Sequence, residues 1–389
     1  MKYNFDYVVN RRATDSCKWD SDNDPQMLPM WIADMDFKTA PKIIDALSKR
    51  VIHGVFGYTD VPQSYYDAVC NWFERRHGWH INQDRIIYTT SVIAALSAVL
   101  KALTKKSDKV LVQTPVYNCF FSSIRNNGCE ILSSPLKRVD SVSGFTYEMD
   151  FEDFENKCQE AKVFILCNPH NPAGRVWTKE ELVRIKEICH RHSVQVISDE
   201  IHCELCAPGI GYVPYANIDS DAIVCVSPSK AFNIAGLQIA NIVCPNETLQ
   251  HAIDRAININ EVCDVNPFGV IATQVAYNEC EDWLDELNTY IYSNYLMMSD
   301  FVKNRLPDFP LAVLEGTYLV WMDCKVLGLT SSVLEQRLKT EVHLHLNSGT
   351  MYGADGEGYM RWNLACPCSV LKDGLERFEH FTIAEKKAI

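Results

Sequence analysis

A single lysine, Lys230, stands where the sequence predicts the end of a buried strand. It follows the apolar run 222–226, and two serines, Ser227 and Ser229, lie just before it. Burial disfavours a charged ammonium, so a lysine in such a place has a lowered pKa and a nucleophilic amine. That amine can condense with an aldehyde cofactor, and the two hydroxyls suit a phosphate. The alternative is that Lys230 is an ordinary exposed lysine in a loop, and other features of the sequence are needed to decide between the two interpretations.

Other polar side chains follow predicted strands in the same way. Helical segments, such as 92–103 and 179–192, alternate with strands predicted at 85–89, 109–113, 162–167, 194–198, 222–226 and 238–244. This alternation is typical of a mainly parallel sheet covered by helices. Such sheets bind ligands beyond the carboxyl ends of their strands. The side chains predicted at that edge are Ser91, Tyr117, Asn171, Asp199, His202 and Lys230.

These residue types suit a cofactor with an aldehyde, a phosphate and a pyridine ring. Asp199 suits the ring nitrogen, because a carboxylate keeps that nitrogen protonated and a pyridinium is an electron sink. Asn171 can donate to a ring oxygen, with His202 as a second partner, and Tyr117 offers a flat face for stacking. From the residues alone, a cap or turn role for the first two and an ordinary buried position for the tyrosine stay open.

Anion sites are predicted at two further places. The turn at Thr90 and Ser91 leads into the helix 92–103, where free N–H groups and the helix dipole face an anion. Arg361 lies between apolar neighbours and therefore needs an anionic partner. A substrate carboxylate or a structural salt bridge would supply one.

Composition narrows the class of protein. The 389 residues carry a formal net charge of −13 without a basic cluster, which argues against nucleic-acid binding. The N-terminus has no signal-peptide pattern, and no apolar run is long enough to span a membrane. We therefore expect a cytoplasmic protein whose 16 cysteines are reduced. No metal site is expected, because neither Cys203-x-x-Cys206 nor Cys366-Pro-Cys368 has a partner pair at zinc-site spacing.

The chain divides into three predicted parts. Residues 1–44 form an arm, in which Trp31 and Phe37 flank two carboxylates and serve as aromatic anchors or as a substrate-pocket wall. Residues 45–284 form a large domain around the sheet. Residues 285–389 form a smaller α+β domain that packs with the arm.

Four motifs together resemble one known family. They are Ser227 to Gly236, Asn168 to Pro172, Asp199 to His202 and the stretch Trp31 to Phe37. The resemblance is to the fold-type I pyridoxal-phosphate enzymes of aminotransferase class I/II, and within them to the MalY/PatB branch of cystathionine β-lyases and cysteine C–S lyases. It covers nearly the whole chain. It implies an α/β fold with a mainly parallel seven-stranded sheet, pyridoxal 5′-phosphate as cofactor, and a homodimer with shared active sites.

The resemblance also implies individual roles. Lys230 would attach the cofactor and move the Cα proton, Asp199 would pair with the ring nitrogen, and Tyr117 would stack on the ring. Arg361 would bind the substrate α-carboxylate, with Trp31 and Tyr117 as pocket walls. The ring oxygen would contact Asn171 and His202. The phosphate would be held by the backbone amides of Val92 and Ile93, by Ser227 and Ser229, and by Tyr58 of the neighbouring subunit.

Two departures from the family concern the phosphate site. Ser91 stands where many relatives have glycine, and Gln238 stands where many aminotransferases of this fold carry a phosphate-binding arginine. The second departure fits the lyase branch.

The reaction that the resemblance implies is β-elimination of a thiol from cystathionine or a related cysteine S-conjugate. An aminotransferase is the alternative, because it needs the same groups, and a non-catalytic cofactor-binding regulator is a third hypothesis.

Overall fold

The computed structural model describes residues 1–261 and 263–388, with side chains up to residue 385. Its α-helices are α1 (Pro41–His53), α2 (Gln63–His77), α3 (Val92–Leu103), α4 (Asn118–Asn126), α5 (Phe151–Cys158), α6 (Lys179–Arg191), α7 (Glu247–Asn258), α8 (Pro267–Glu279), α9 (Glu281–Arg305), α10 (Ser331–Val342) and α11 (Cys368–Ala388). None of these described helices is long and apolar enough to cross a membrane.

Strands alternate with the helices through the middle of the chain. They are β1 (Leu28–Pro29), β2 (Ile86–Thr89), β3 (Lys109–Val112), β4 (Glu130–Ser133), β5 (Lys137–Ser141), β6 (Gly144–Glu148), β7 (Val163–Cys167), β8 (Gln195–Asp199), β9 (Ile223–Val226), β10 (Ala240–Val243), β11 (Leu319–Asp323), β12 (Leu344–His345), β13 (Asn347–Ser348) and β14 (Tyr359–Asn363).

Seven strands form the central sheet, in the order β2-β10-β9-β8-β7-β3-β4. Only β10 runs antiparallel to its neighbours, β2 and β9. Strands β7 and β9 are buried along their whole length, because helices cover both faces of the sheet. The prediction of a mainly parallel seven-stranded sheet is confirmed.

Side-chain caps determine where two of the helices beside the central sheet begin. Helix α3 begins after Ser91, whose hydroxyl accepts a hydrogen bond from the amide of Ala94 at 3.1 Å. Helix α6 begins after Thr178, which forms a capping box with Glu181 as its sequence predicts. These caps satisfy amides that the first helical turn leaves free and so fix where each helix starts.

A second layer of structure follows α9. The sheet β11-β14-β13 packs with α9, α10 and α11 around a core that includes Trp362, Phe309 and Phe378. The arm joins this layer, since Leu28 in β1 pairs with Leu344 in β12. As predicted, residues 1–30 have little regular structure. The domain boundaries at residues 44 and 284 stay a prediction.

Candidate active site

The carboxyl edge of the central sheet opens into a cavity of about 140 Å³. Each of the six residues that the sequence places at this edge lines it. The other residues that line it are Ala33, Thr90, Val92, Ile93, Cys167, Ile201, Ser229, Ala235 and Ile239. The strand-end argument therefore brings together residues that lie up to 139 positions apart in the sequence, from Ser91 to Lys230.

Lys230 lies in the loop after β9 and faces this cavity. Its Nζ atom donates a hydrogen bond to the backbone carbonyl of Ala33 at 2.8 Å. Burial lowers the pKa of the lysine below its usual value, and the nearby Arg361 guanidinium lowers it further, whereas Asp34 and Asp199 raise it. The amine therefore has a larger neutral fraction than an exposed lysine at the same pH, as a nucleophile or a base requires.

Asp199 ends β8 and is 3% exposed. Its carboxylate accepts a hydrogen bond from the amide of Ile201 at 3.1 Å. On the flanking strands its neighbours in register are two thiols, Cys167 and Cys225. Because burial penalises the charged form and Glu200 lies close, the pKa of Asp199 rises to about 7. Such a carboxylate favours a cationic partner.

Asn171 follows β7 and His202 follows β8, and both line the cavity with Asp199. The Asn171 side-chain oxygen accepts a hydrogen bond from Arg361 Nη1 at 3.1 Å. The Nδ1 atom of His202 is buried without a partner, and burial lowers the pKa of this histidine to about 3. Tyr117 precedes α4, and burial raises the pKa of its phenol. All three side chains are therefore neutral at pH 7, so they can contact a ring without adding charge.

The start of α3 forms the phosphate end of the cavity. Val92 and Ile93 are its first two helical residues, and both line the cavity. Their amides precede the first intrahelical donor, so they and the helix dipole favour an anion. Ser229 lies at the same wall. Ser91 is the N-cap of this helix, because its hydroxyl accepts a hydrogen bond from the amide of Ala94.

A second cavity, of about 690 Å³, adjoins the first and shares Ala33, Tyr117, Lys230 and Ala235 with it. Arg361 lies in its wall, is 3% exposed, and stacks over the ring of Tyr352 at 4.8 Å. Its Nη2 atom donates to the Trp31 carbonyl at 2.7 Å, and its Nε atom has no partner. Within residues 1–261 and 263–385 it forms no ion pair, which favours a substrate carboxylate over a structural salt bridge.

Two of the predicted site residues lie away from the cavities. The Ser227 hydroxyl donates to the carbonyl of Ile239 at 2.5 Å and is not among the residues that line the cavity. It accepts a hydrogen bond from the Ser229 amide, so it shapes the loop before Lys230. Tyr58 lies in the coil after α1, is 98% exposed, and does not line either cavity.

Sequence reasoning missed the residues that join the arm to the site. The side chain of Asn233 binds the carbonyls of Met35 and Phe37, and the side chain of Asn363 binds those of Ile32 and Asp34. Period-two alternation within β14 was a usable signal for the second asparagine, since it follows Arg361 by two positions and so lies on the same face.

The groups of the first cavity fit pyridoxal 5′-phosphate. An amine, a buried carboxylate in need of a cation, and a helix N-terminus suit its aldehyde, its ring nitrogen and its phosphate. His202, whose buried Nδ1 has no partner, also lines this cavity. The residues present thus match the cofactor's three functional groups.

Comparison with known families assigns the chain. The family model Aminotransferase class I and II matches residues 25–378, and the chain belongs to this family. Its fold is that of the pyridoxal-phosphate enzymes of fold type I, and its cofactor is pyridoxal 5′-phosphate.

Several similar proteins are named as lyases. The chain is 40% identical over 386 residues to cystathionine beta-lyase PatB of Bacillus subtilis, covering 97% of this chain and 99% of that protein. It is 31% identical to Protein MalY of Escherichia coli, covering 96% and 97%. Among solved structures, cystalysin of Treponema denticola, with its pyridoxal 5′-phosphate cofactor, superposes with a TM-score of 0.94 at 32% identity, covering 99% of this chain and 100% of that one. The PLP-bound C–S lyase of Staphylococcus hominis gives 0.90 at 33%, covering 97% and 98%.

Proposed function

We propose that this protein is a pyridoxal-phosphate-dependent carbon–sulfur β-lyase that acts on cystathionine or related cysteine S-conjugates. With L-cystathionine, one water is consumed and homocysteine, pyruvate and ammonia are released. The observation that carries the proposal is the position of Lys230 between two cavities. One cavity has the groups that suit the cofactor, and the other has a buried arginine for the amino-acid head of a substrate. The names of the similar proteins, which include cystathionine β-lyases and C–S lyases, support the same reaction.

Each residue at the site has a role that follows from its surroundings. When bound, the cofactor supplies an electron sink for the charge that develops at the substrate Cα. Arg361 holds the α-carboxylate through its guanidinium, which no protein carboxylate occupies among the described residues. Lys230 would hold the cofactor through its aldehyde, and its amine would take the proton from the substrate Cα. Its lowered pKa gives it a larger neutral fraction than an exposed lysine has at the same pH, as a base requires.

Other groups hold the cofactor in place. Asp199 would pair with the ring nitrogen, Asn171 and His202 would contact the ring oxygen, and Tyr117 would stack on the ring. The amides of Val92 and Ile93 would bind the phosphate together with Ser229. Ser227 would act on the phosphate only by shaping the loop that carries its neighbour, since its hydroxyl is bound to Ile239.

We also propose a cytoplasmic homodimer in which Tyr58 reaches the phosphate of the neighbouring subunit. The exposed apolar side chains around it support this proposal, since Ile52, Val55 and Phe56 are 84%, 61% and 57% exposed. Apolar side chains grouped in this way on a surface mark an interface. The sixteen free cysteines suit a reducing compartment.

The proposal is tested by incubating the purified protein with pyridoxal 5′-phosphate and L-cystathionine and measuring pyruvate and free thiol. Stoichiometric release of both, without an added keto acid, supports the lyase. Turnover that requires a keto acid acceptor and yields no thiol would make the protein an aminotransferase. A protein that binds the cofactor but does not convert L-cystathionine, with or without a keto acid, would be a non-catalytic binder.

A further inference from the structure

Residues 31–37 form a backbone segment that we call the strap. It lines the second cavity, and its residue Ala33 lines the first cavity as well. The strap forms no helix or strand, so side chains from distant parts of the chain satisfy its carbonyl groups. The carbonyl of Trp31 accepts from Arg361 at 2.7 Å, and that of Ala33 accepts from Lys230 at 2.8 Å. The two cations that the proposed reaction needs are thus fixed by carbonyls two residues apart.

Ala33 lies at the apex of a tight turn. The amide of Asp34 donates to the carbonyl of Ile32 at 2.8 Å and closes a three-residue ring around Ala33. The peptide unit between Ala33 and Asp34 therefore has its N–H bound within the turn and its carbonyl bound to Lys230. Rotation of this peptide plane would break both hydrogen bonds, so the turn sets the direction of the carbonyl.

Asn363 closes this turn from the other side. Its Nδ2 atom donates to the carbonyls of Ile32 and Asp34, both at 2.7 Å, which are the carbonyls on either side of Ala33. Its Oδ1 atom accepts from the amide of Ala365 at 2.8 Å, so the orientation of its amide group is determined. The side chain is 1% exposed. Loss of it would remove one donor from the carbonyl on each side of Ala33. The Ile32 carbonyl would keep only the Asp34 amide, and the Asp34 carbonyl only Lys18 Nζ at 3.0 Å, so the turn would be held less firmly.

We propose that Asn363 is a positioning residue for Lys230, acting through the carbonyl of Ala33. This proposal rests on the proposed function in one respect, namely that the lysine amine is the reacting group. The Ala33 carbonyl accepts one N–H of that amine and so restricts its rotation about the Cε–Nζ bond. An amine of fixed direction attacks the cofactor aldehyde, or takes a proton, from a defined side.

The first test measures attachment of the cofactor to the cofactor-free protein. In attachment the amine forms a C=N bond to the aldehyde carbon and one water is released. The visible absorbance of the attached cofactor measures the rate of this reaction. We expect Asn363→Ala to lower the attachment rate constant about tenfold, because the two hydrogen bonds that hold the turn around Ala33 are lost. In the lyase assay kcat should fall by a similar factor, while KM for L-cystathionine changes less than about twofold because Arg361 keeps its contacts.

A matched control is available in Asn294. It is also 1% exposed, and its Nδ2 donates to two carbonyls, of Leu364 and Cys366, at 3.0 and 2.8 Å. Asn294→Ala should lower the thermal midpoint about as much as Asn363→Ala, yet leave attachment within about twofold of the wild type. Equal slowing of attachment in the two variants would overturn the proposal, because it would show a general loss of stability.

A second variant keeps every hydrogen bond of the strap. Ala33→Gly removes only a methyl group and gives the turn more backbone freedom, so attachment should slow about threefold without a loss of folding. Wild-type attachment rates in Ala33→Gly, or in a folded Asn363→Ala protein, would refute the positioning role.

The wild-type protein separates this proposal from the proposed function. If it attaches the cofactor but releases no pyruvate, only the lyase activity is refuted, because the attachment rates of the variants still test the role of Asn363. A wild-type protein that attaches no cofactor would overturn both proposals.

Discussion

Asp199→Asn is expected to stabilise the cofactor-free protein at neutral pH. The carboxyl group is 3% exposed and accepts a hydrogen bond from the Ile201 amide. Burial and the neighbouring Glu200 raise its pKa from 3.8 to about 7. At about 1.4 kcal/mol for each pH unit, the difference corresponds to about 4 kcal/mol that opposes folding once the carboxyl group is ionised.

The sign of the effect follows from proton linkage. Between pH 3.8 and about 7 the folded protein keeps a proton on Asp199 that the unfolded chain has released, so this group lowers stability as pH rises through that window. Above about pH 7 the loss is complete. Asparagine does not titrate and has nearly the same shape. The variant should therefore gain little at pH 4.5 and about 4 kcal/mol at pH 8, or about 5 °C in midpoint for a chain of this length.

Thermal scans of the cofactor-free wild-type and variant proteins at the two pH values measure this gain. Asp219→Asn serves as the control, because Asp219 is also 3% exposed but its carboxylate already contacts His190 at 3.0 Å. The control substitution should not stabilise the protein. An Asp199→Asn midpoint at pH 8 that equals or falls below the wild-type value would refute the argument that this carboxylate is held without a cation.

With cofactor bound, the same substitution should be harmful. The ring nitrogen would give Asp199 its cationic partner, and a charge-assisted hydrogen bond contributes about 2–3 kcal/mol. We expect kcat for pyruvate release to fall at least about 100-fold in Asp199→Asn. Stabilisation of the cofactor-free protein together with loss of turnover is a combination that a purely structural carboxylate would not give.

Three further predictions concern individual residues. Lys230→Ala should abolish pyruvate release and the visible absorbance of the attached cofactor, and full lyase activity in this variant would make the assignment wrong. Arg361→Lys should raise KM for L-cystathionine about 30-fold, because a bidentate contact is lost, with cofactor affinity within about twofold in a titration; an unchanged KM would indicate a structural role. Mixing Tyr58→Ala subunits with Lys230→Ala subunits should restore about a quarter of the sites, since a mixed dimer has one complete site. No recovery of pyruvate release would show that Tyr58 does not act across the interface.

Most of the central sheet could be predicted because its strands are buried on both faces. The sequence predicted Val92–Leu103 with the bounds the structure has, and it placed β7, β8 and β9 within one residue. The hairpin of β5 and β6 was missed. Strand β5, Lys137–Ser141, is mostly exposed and charged, so it has no apolar pattern from which a strand can be predicted.

The cofactor cavity could be predicted because its chemistry is in side chains at strand ends. Lys230, Asp199 and Asn171 are residue types with a few characteristic roles, and their shared edge follows from the parallel order of strands. The contribution of Ala33 could not be predicted, because it is a backbone carbonyl that any residue offers. Its partner lies 197 positions away, and no periodic pattern links two such distant groups.

A buried charge network around Asp36 fixes the backbone of the strap. Asp36 is 4% exposed and is bound by Lys18 at 2.7 Å and by Arg11 at 3.1 Å, while the Trp19 ring nitrogen donates to it at 2.7 Å. A buried charge network of this kind adds little net stability by itself, because its desolvation offsets its attraction. It does fix one backbone geometry, since any shift leaves a charge unpaired. The carbonyls that bind Lys230 and Arg361 belong to that same backbone, so the residues that fix the arm also determine where the two functional cations lie.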